Sequence, residues 1–369
     1  KAEDDSTADA IDLALRATLD GMLKGGIRDQ IGGGFHRYSV DSTWTVPHFE
    51  KMLIDQAHLL RVYARAARWY GDDEYRRCVR ELVGYLDREM TGDGGQFFSA
   101  LDAESEGREG ASYLWTPAQI DQALCPPELS GIPELVQVGR EAATFAKLVF
   151  GLTGEPNFRD PHHPSEPASW VPRLAFRADH PPAEFQMSPA AFIERVQRVS
   201  AALREVRDRR LQPRRDDKVL AAWNGAMIAA LAAASRELED PALLDRARRA
   251  MTWVGANLSG GNGELRRSWR AGVLGPPAFL DDYANLIAAH VELARCESGA
   301  KRDEHLSRAK ALLARARELF ASADGGQWFD SRADQKDLFV RGFSAHDGAS
   351  PSGVSTLLHA LLDLAELTD

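Results

Sequence analysis

Val219-Leu220-Ala221-Ala222-Trp223-Asn224-Gly225-Ala226-Met227-Ile228-Ala229-Ala230-Leu231 is apolar nearly all round a helical cylinder, so a helix here is expected to be buried on most sides. Leu286 to Ala294 has the same character apart from His290 and Glu292. Leu243 to Leu258 and His305 to Phe320 differ. Each carries an apolar stripe opposite a face of Arg, Asp, Lys and Glu, as a helix with one wet side should. Periodicity predicts long helices at about 7–24, 46–70, 72–90, 187–208, 219–238, 240–257, 279–297, 303–320 and 353–367, with strand-like alternation only in short pieces near glycine pairs.

The two kinds of helix alternate. Asp72-Asp73, Asp240-Pro241 and Asp303-Glu304 each open an outer helix, and Gly94-Gly95, Gly260-Gly261 and Gly325-Gly326 follow at intervals of 22, 20 and 22 residues. The short pieces Gln96-Phe97-Phe98, Glu264-Leu265-Arg266 and Gln327-Trp328-Phe329 come next. Inner helix, outer helix, glycine turn and β piece make a repeat of about 60–70 residues, longer than the roughly 34–47 of helical solenoids. The expected fold is all-α, an α/α toroid of helical hairpins with short β-hairpin decorations, and residues 1–369 are read as one domain. Proline clusters at about 117–186 are read as an irregular insertion.

Composition narrows the function. With 45 Lys+Arg against 55 Asp+Glu the formal charge is −10, which argues against nucleic acid or an anionic membrane as partner. No apolar run approaches the ~18 residues of a membrane span. Cys78, Cys125 and Cys296 stand apart, so neither a disulfide framework nor a metal site is expected, and a cytoplasmic location follows from that usage. The start at Lys1, followed by acidic residues, lacks a signal-peptide pattern and suggests a portion of a longer protein.

Polar residues gather at helix N-termini: Asp216-Asp217-Lys218 before Trp223-Asn224, Asp281-Asp282-Tyr283 before Asn285, and His346-Asp347-Gly348 before Ser350. In a toroid the inner N-termini share one end of the ring, where carboxylates, amides and aromatics suit sugar hydroxyls and pyranose faces. Helix capping is the alternative reading of any single Asp. The densest constellation is Gly32-Gly33-Gly34-Phe35-His36-Arg37-Tyr38-Ser39-Val40-Asp41 with Trp44-Thr45-Val46-Pro47-His48-Phe49-Glu50-Lys51. No strand precedes the glycines, so they are not a dinucleotide fingerprint. On a helix starting near 46, His48, Lys51 and Asp55 would share one stripe. Asp102 and Glu104, in Ser99 to Glu106, are a second acidic cluster suited to acid–base work on a glycosidic bond or to a wet loop.

The blocks Gly25 to Asp41, Val46 to Leu53, Ser99 to Ser105, Asp216 to Leu220, Ala222 to Gly225, Asp281 to Tyr283 and Asp347 to Gly353 resemble the YyaL-like, spermatogenesis-associated thioredoxin-domain family over nearly the whole chain. The resemblance implies an (α/α)6 barrel similar to N-acylglucosamine 2-epimerases, cellobiose epimerases and six-hairpin glycosidases, preceded by a thioredoxin-like domain. That domain is outside this sequence, so redox chemistry is not assigned to this chain, and nine long helices against twelve suggest a ring incomplete at its ends. Ile54 and Val354 replace a usual Tyr and Asn.

The expected function is therefore carbohydrate processing or binding, with epimerase or isomerase chemistry first. His36 and His48 are the acid–base candidates. Trp44, Trp223 and Tyr283 would stack on the sugar, with Arg37, Tyr38, Lys51, Asp55, Asp217, Asn224 and Asp282 around it. A glycosidase would instead draw a carboxylate pair from Asp102, Glu104, Asp217, Asp282 and Asp347. No cofactor or metal is expected. The rival reading is a non-catalytic scaffold partnering a thioredoxin-like domain or a second subunit.

Overall fold

The computed structural model describes residues 2–261 and 263–368. In chain order these form α1 (Ala2–Lys24), β1 (Tyr38–Ser39), β2 (Pro47–His48), β3 (Lys51–Met52), α2 (Leu53–Tyr70), α3 (Asp73–Tyr85), β4 (Ala100–Leu101), β5 (Glu104–Ser105) and β6 (Arg108–Glu109). Then follow α4 (Pro117–Leu124), α5 (Pro133–Val149), α6 (Pro189–Arg207), β7 (Arg215–Asp216), β8 (Val219–Leu220), α7 (Ala221–Leu238), α8 (Pro241–Asn257), β9 (Ser268–Arg270), β10 (Val273–Leu274), α9 (Leu280–Cys296), α10 (Gly299–Phe320) and α11 (Gly353–Thr368). The chain divides into two compact units. One holds residues up to Lys51, Arg80–Tyr85 and Leu101–Arg214; the other holds Met52–Val79, Leu86–Ala100 and Arg215 onward.

In the second unit the apolar helices are the inner ones. α7 lies between α2 and α9, and α9 lies between α7 and α11. Their N-terminal ends meet: the Asp282 Oδ1 of α9 accepts the Ala222 amide of α7 at 3.0 Å, and Gly353 of α11 sits against the Asp281 backbone. Asn224 accepts from Phe97 N–H (2.9 Å) and donates to the Phe97 and Leu220 carbonyls (3.0 Å each), while Leu53 N–H at the start of α2 bonds Ser99 O at 2.9 Å. Further along the helices, the buried Glu292 of α9 takes Arg61 of α2 and Arg236 of α7 at 3.0 Å, and Arg295 reaches Asp363 and Glu366 of α11. The four inner helices therefore run parallel, with their N-termini at a common end.

The outer helices run back. α8 follows α7 after Glu239 and Asp240, with Asp240 capping Ala242 N–H, and α10 packs on α9. Asp72 caps α3 by accepting from the Glu74 and Tyr75 amides, and Tyr75 packs edge-on against Tyr63 and Tyr70 of α2. After each outer segment comes the same small device, a β-bridge closing a glycine turn: Thr91 to Phe97, Ser259 to Leu265, Ala321 to Trp328. The turning glycines Gly95, Gly263 and Gly325 all adopt left-handed φ, 72–91°. This is the α/α hairpin repeat of toroids, all-α with short β decorations, as the sequence spacing predicts.

The first unit has its own core. Ile120 of α4, Phe145, Ala146 and Val149 of α5, and Phe192, Val196 and Leu203 of α6 pack with Trp115 and Phe150. Residues 117–124 and 133–149 are thus helix within the stretch read from sequence as an irregular insertion. The prolines there act as helix openers: Pro117 follows the Thr116–Gln119 capping box, and Pro133 starts α5. A second correction concerns 46–52. Burial alternates along Pro47, Phe49 and Lys51 (in) and His48 and Glu50 (out), and the helix begins only at Leu53. The expected stripe of His48, Lys51 and Asp55 does not exist. α10 also begins at Gly299 and not at Asp303.

Gly225 gives the tightest test of the inner wall. A Cβ there would lie 2.8–3.0 Å from the Asn285 and Leu286 backbone, whereas one at Gly255 of α8 meets nothing within 4 Å. Urea denaturation is expected to show Gly225→Ala destabilised by about 1–3 kcal/mol and Gly255→Ala stabilised by up to ~1 kcal/mol. Equal effects would contradict the close approach of α7 to α9.

Candidate functional site

The glycine-rich block after α1 is built around one carboxylate. Asp29 Oδ1 accepts the Ile31 and Gly32 amides at 3.0 and 2.8 Å, which folds the loop back on itself. Arg207 of α6 donates to both Asp29 oxygens (2.9 and 2.7 Å), and Lys51 Nζ donates to Oδ2 at 2.8 Å and to Gly33 O at 2.9 Å. Lys51 also lies 4.5 Å from the Tyr85 ring centre and 4.9 Å from that of Tyr113, a cation–π cage. Burial alone would raise the Asp29 carboxyl, but Arg207 and Lys51 outweigh it and hold the group well below the carboxylate range. Gly33 and Gly34 have φ of +79° and +74°, and a Cβ on Gly34 would fall 2.5–2.9 Å from the Tyr85 ring. The glycines are thus required by backbone conformation and close packing.

His36 belongs to this interior. It is 2% exposed, its Nδ1–H donates to Phe49 O at 2.9 Å, and it packs edge-on against Phe49 and Tyr113. Burial, then the charge of Lys51, pushes its pKa down to about 3. It is a neutral core imidazole.

His48 is different. β1 and β2 pair antiparallel with Tyr38 opposite His48, and the two rings stack at 5.0 Å. His48 Nδ1 donates to Glu109 Oε1 at 2.7 Å, and Nε2 lies 3.8 Å from Glu50 Oε2. Glu50 in turn holds Arg37 at 3.0 Å. Glu109 comes from the β5–β6 hairpin, whose turn residues Glu106 and Gly107 are both left-handed (φ 56° and 72°), and its cross-strand neighbour is Glu104. His48 is half-buried and Tyr38 is 49% exposed, so the cluster opens to solvent. A carboxylate on Nδ1 fixes the tautomer and leaves the Nε2 lone pair to take a proton.

The other expected site residues fall as follows. Trp44 is half-buried, with left-handed φ of 60°, and packs over Gly21 and Gly25. Asp102 and Glu104 are exposed, with Asp102 Oδ1 accepting Glu104 N–H at 3.4 Å. In the second unit Asp55 lies in the first turn of α2, Asp217 is tied to Arg270 at 2.6 Å, and Trp223 is half-buried on α7. The polar atoms of Asn224 are engaged by backbone, as described above. Asp282 is fully buried. It accepts the Ala222 and Phe279 amides and Arg267 at 3.1 Å, yet burial and the neighbouring Asp281 push it up to about 7. Tyr283 is buried edge-on against Phe320, and the exposed Asp347 accepts Ser352 N–H at 3.0 Å. Among the described residues no group of three His, Cys, Asp or Glu side chains could hold a metal ion, and no helix is long and apolar enough to cross a membrane.

The structure thus gathers Arg37, Tyr38, His48 and Glu104 in the first unit and adds Glu50 and Glu109, which the sequence reading passed over. Glu109 follows an Glu-Gly turn, a weaker hairpin signal than Asn-Gly or Asp-Gly.

Over 95% of its length the chain is 32% identical to spermatogenesis-associated protein 20 of Rattus norvegicus (377 residues aligned) and of Homo sapiens (372 residues). The chain is similar to part of spermatogenesis-associated protein 20. It spans about half the length of the curated relatives it matches: 46% of these two, and 51% of an uncharacterised Caenorhabditis elegans protein that is 31% identical over the whole chain. No protein-family model matches. Similar solved structures include a D-mannose isomerase (12% identity, TM-score 0.32, 96% of this chain and 97% of that one) and a cellobiose 2-epimerase from Spirochaeta thermophila (15%, 0.33, 99% of each). An unsaturated glucuronyl hydrolase from Bacillus is also similar (18%, 0.34, 85% of this chain and 74% of that one).

The neutral state of His36 sets a pH dependence. Its folded pKa of about 3 lies below the unfolded value of 6.5, so the unfolded chain takes up a proton that the folded chain refuses. Stability is therefore expected to fall as pH drops below about 6.5, and His36→Phe to flatten that slope by up to ~1.4 kcal/mol per pH unit. Parallel wild-type and variant curves from urea titrations at pH 7 and 5 would contradict the buried neutral imidazole.

Proposed function

We propose that the chain is a carbohydrate-processing α/α protein in which His48, held by Glu109, moves a proton between neighbouring carbons of an open-chain sugar. The observation that carries this reading is the His48–Glu109 hydrogen bond beneath the exposed ring of Tyr38. The Nε2 lone pair accepts the proton from the carbon beside the carbonyl. The C–H electron pair becomes a C=C bond, and the carbonyl oxygen takes the charge and a proton from water. The enediol collapses when its other hydroxyl gives a proton back to water and His48 returns its proton to the former carbonyl carbon, which interconverts aldose and ketose. Tyr38 offers a stacking face, and Arg37 and Glu104 offer hydroxyl partners.

Isomerisation is favoured over epimerisation because one base on one face of an enediol suffices for it. Epimerisation needs a second group on the opposite face, and His36, the other candidate, is sealed among Phe49 and Tyr113. Glycoside hydrolysis is the second reading, and it rests on Glu104 and Glu109 facing each other across the β5–β6 hairpin.

Incubation with aldoses, ketoses and disaccharides, followed by NMR of the products, separates the two. The expected outcome is aldose–ketose interconversion that falls by about 10²–10⁴-fold in His48→Asn, falls less in Glu109→Gln, and persists in folded His36→Phe. Turnover unchanged in His48→Asn, or release of a new reducing end, would overturn the isomerase reading.

A further inference from the structure

A cavity of about 740 Å³ lies wholly within the second unit, lined by α8, α9 and α10. Part of its lining is apolar, with Met251, Val254, Leu265, Leu286 and Leu312. Its rim is cationic: Arg248 from α8 and Lys301, Arg308 and Arg315 from α10 line it, against the carboxylates Glu297 and Glu304. Glu297 is already held by Arg248 at 2.6 Å, and Arg315 is held by Glu318. Among the described residues Lys301 and Arg308 form no salt bridge.

At the centre His290 of α9 meets His305 of α10, Nδ1 to Nδ1 at 3.0 Å. One ring must donate there and the other accept. Burial, then His305 and Arg308, pushes His290 down to about 3, so the pair is neutral at neutral pH. Two neutral imidazoles so joined retain one Nε2–H donor and one Nε2 lone pair. A cavity with a partly apolar lining, two uncommitted cations and a polar pair that can still donate has the recognition chemistry of an organic anion.

We propose that this groove binds a small organic anion, a carboxylate or phosphate monoester with an apolar body, its charge between Lys301 and Arg308 and its body on the apolar lining at Met251 and Leu286. The site is independent of His48 and of the reading given to it.

The test uses the full chain with ¹³C-labelled histidine and follows the His290 and His305 ring signals. Benzoate and phenyl phosphate are the probes, which also separate the two anion classes. Phenol supplies the body without charge, and acetate and inorganic phosphate the charge without body. Saturable shifts are expected with at least one probe and about tenfold weaker binding for its controls. Binding should weaken by a similar factor in Arg308→Glu and in Lys301→Glu, both exposed positions where folding is not at stake. No saturable shift with either probe, phenol binding as well as the anions, bare anions binding as well as the probes, or unchanged affinity in both variants would each overturn the proposal.

Discussion

Asp29 is the constraint on which the candidate site depends. One buried carboxylate fixes the glycine loop through two amides, fixes α6 through Arg207, and fixes the strand after β2 through Lys51. Removing one partner from such a buried set leaves an uncompensated charge and typically costs about 3–5 kcal/mol, so the arrangement is held far more firmly than an exposed ion pair would hold it. Because side chains alternate along an extended segment, anchoring Lys51 inward also sets Phe49 inward and His48 and Glu50 outward. The outward orientation of His48 is thus set three residues away.

The same alternation explains the contrast between the two histidines. His36 and His48 look equivalent in sequence, each next to a phenylalanine. One is stacked out against Tyr38 with a carboxylate on its Nδ1. The other gives its Nδ1–H to a main-chain carbonyl under Phe49 and Tyr113. Burial and a nearby ammonium make the second a neutral packing group, and the first keeps an accessible nitrogen.

Much of the second unit was legible because its helices differ in how far round they are apolar, a property that survives without any tertiary information. α7 and α9 read as buried, α8 and α10 as one-sided, and the glycine turns after the outer segments fall where the spacing places them. What was not legible involves charge in the interior. Lys51 reads with His48 and Asp55 as one polar stripe, which takes Pro47 to Lys51 into a helix although the pattern there has period two. The proline-rich stretch at about 117–186 reads as an irregular insertion, although a proline at the first turn of a helix, as at 117 and 133, is also a start signal. Asn224 and Asp282 read as ligand groups, whereas their partners are backbone amides and carbonyls from distant segments that no local pattern reveals.

The measurement that bears most directly on this account is exchange of carbon-bound hydrogen with solvent during turnover in D2O. A half-exposed His48 that carries the proton between carbons should trade it with water, so deuterium should enter the sugar beside the carbonyl in the wild-type chain and in His36→Phe, and not in His48→Asn. Deuterium entering with His48→Asn as it does in the wild type, or product formed with every carbon-bound hydrogen retained, would contradict it.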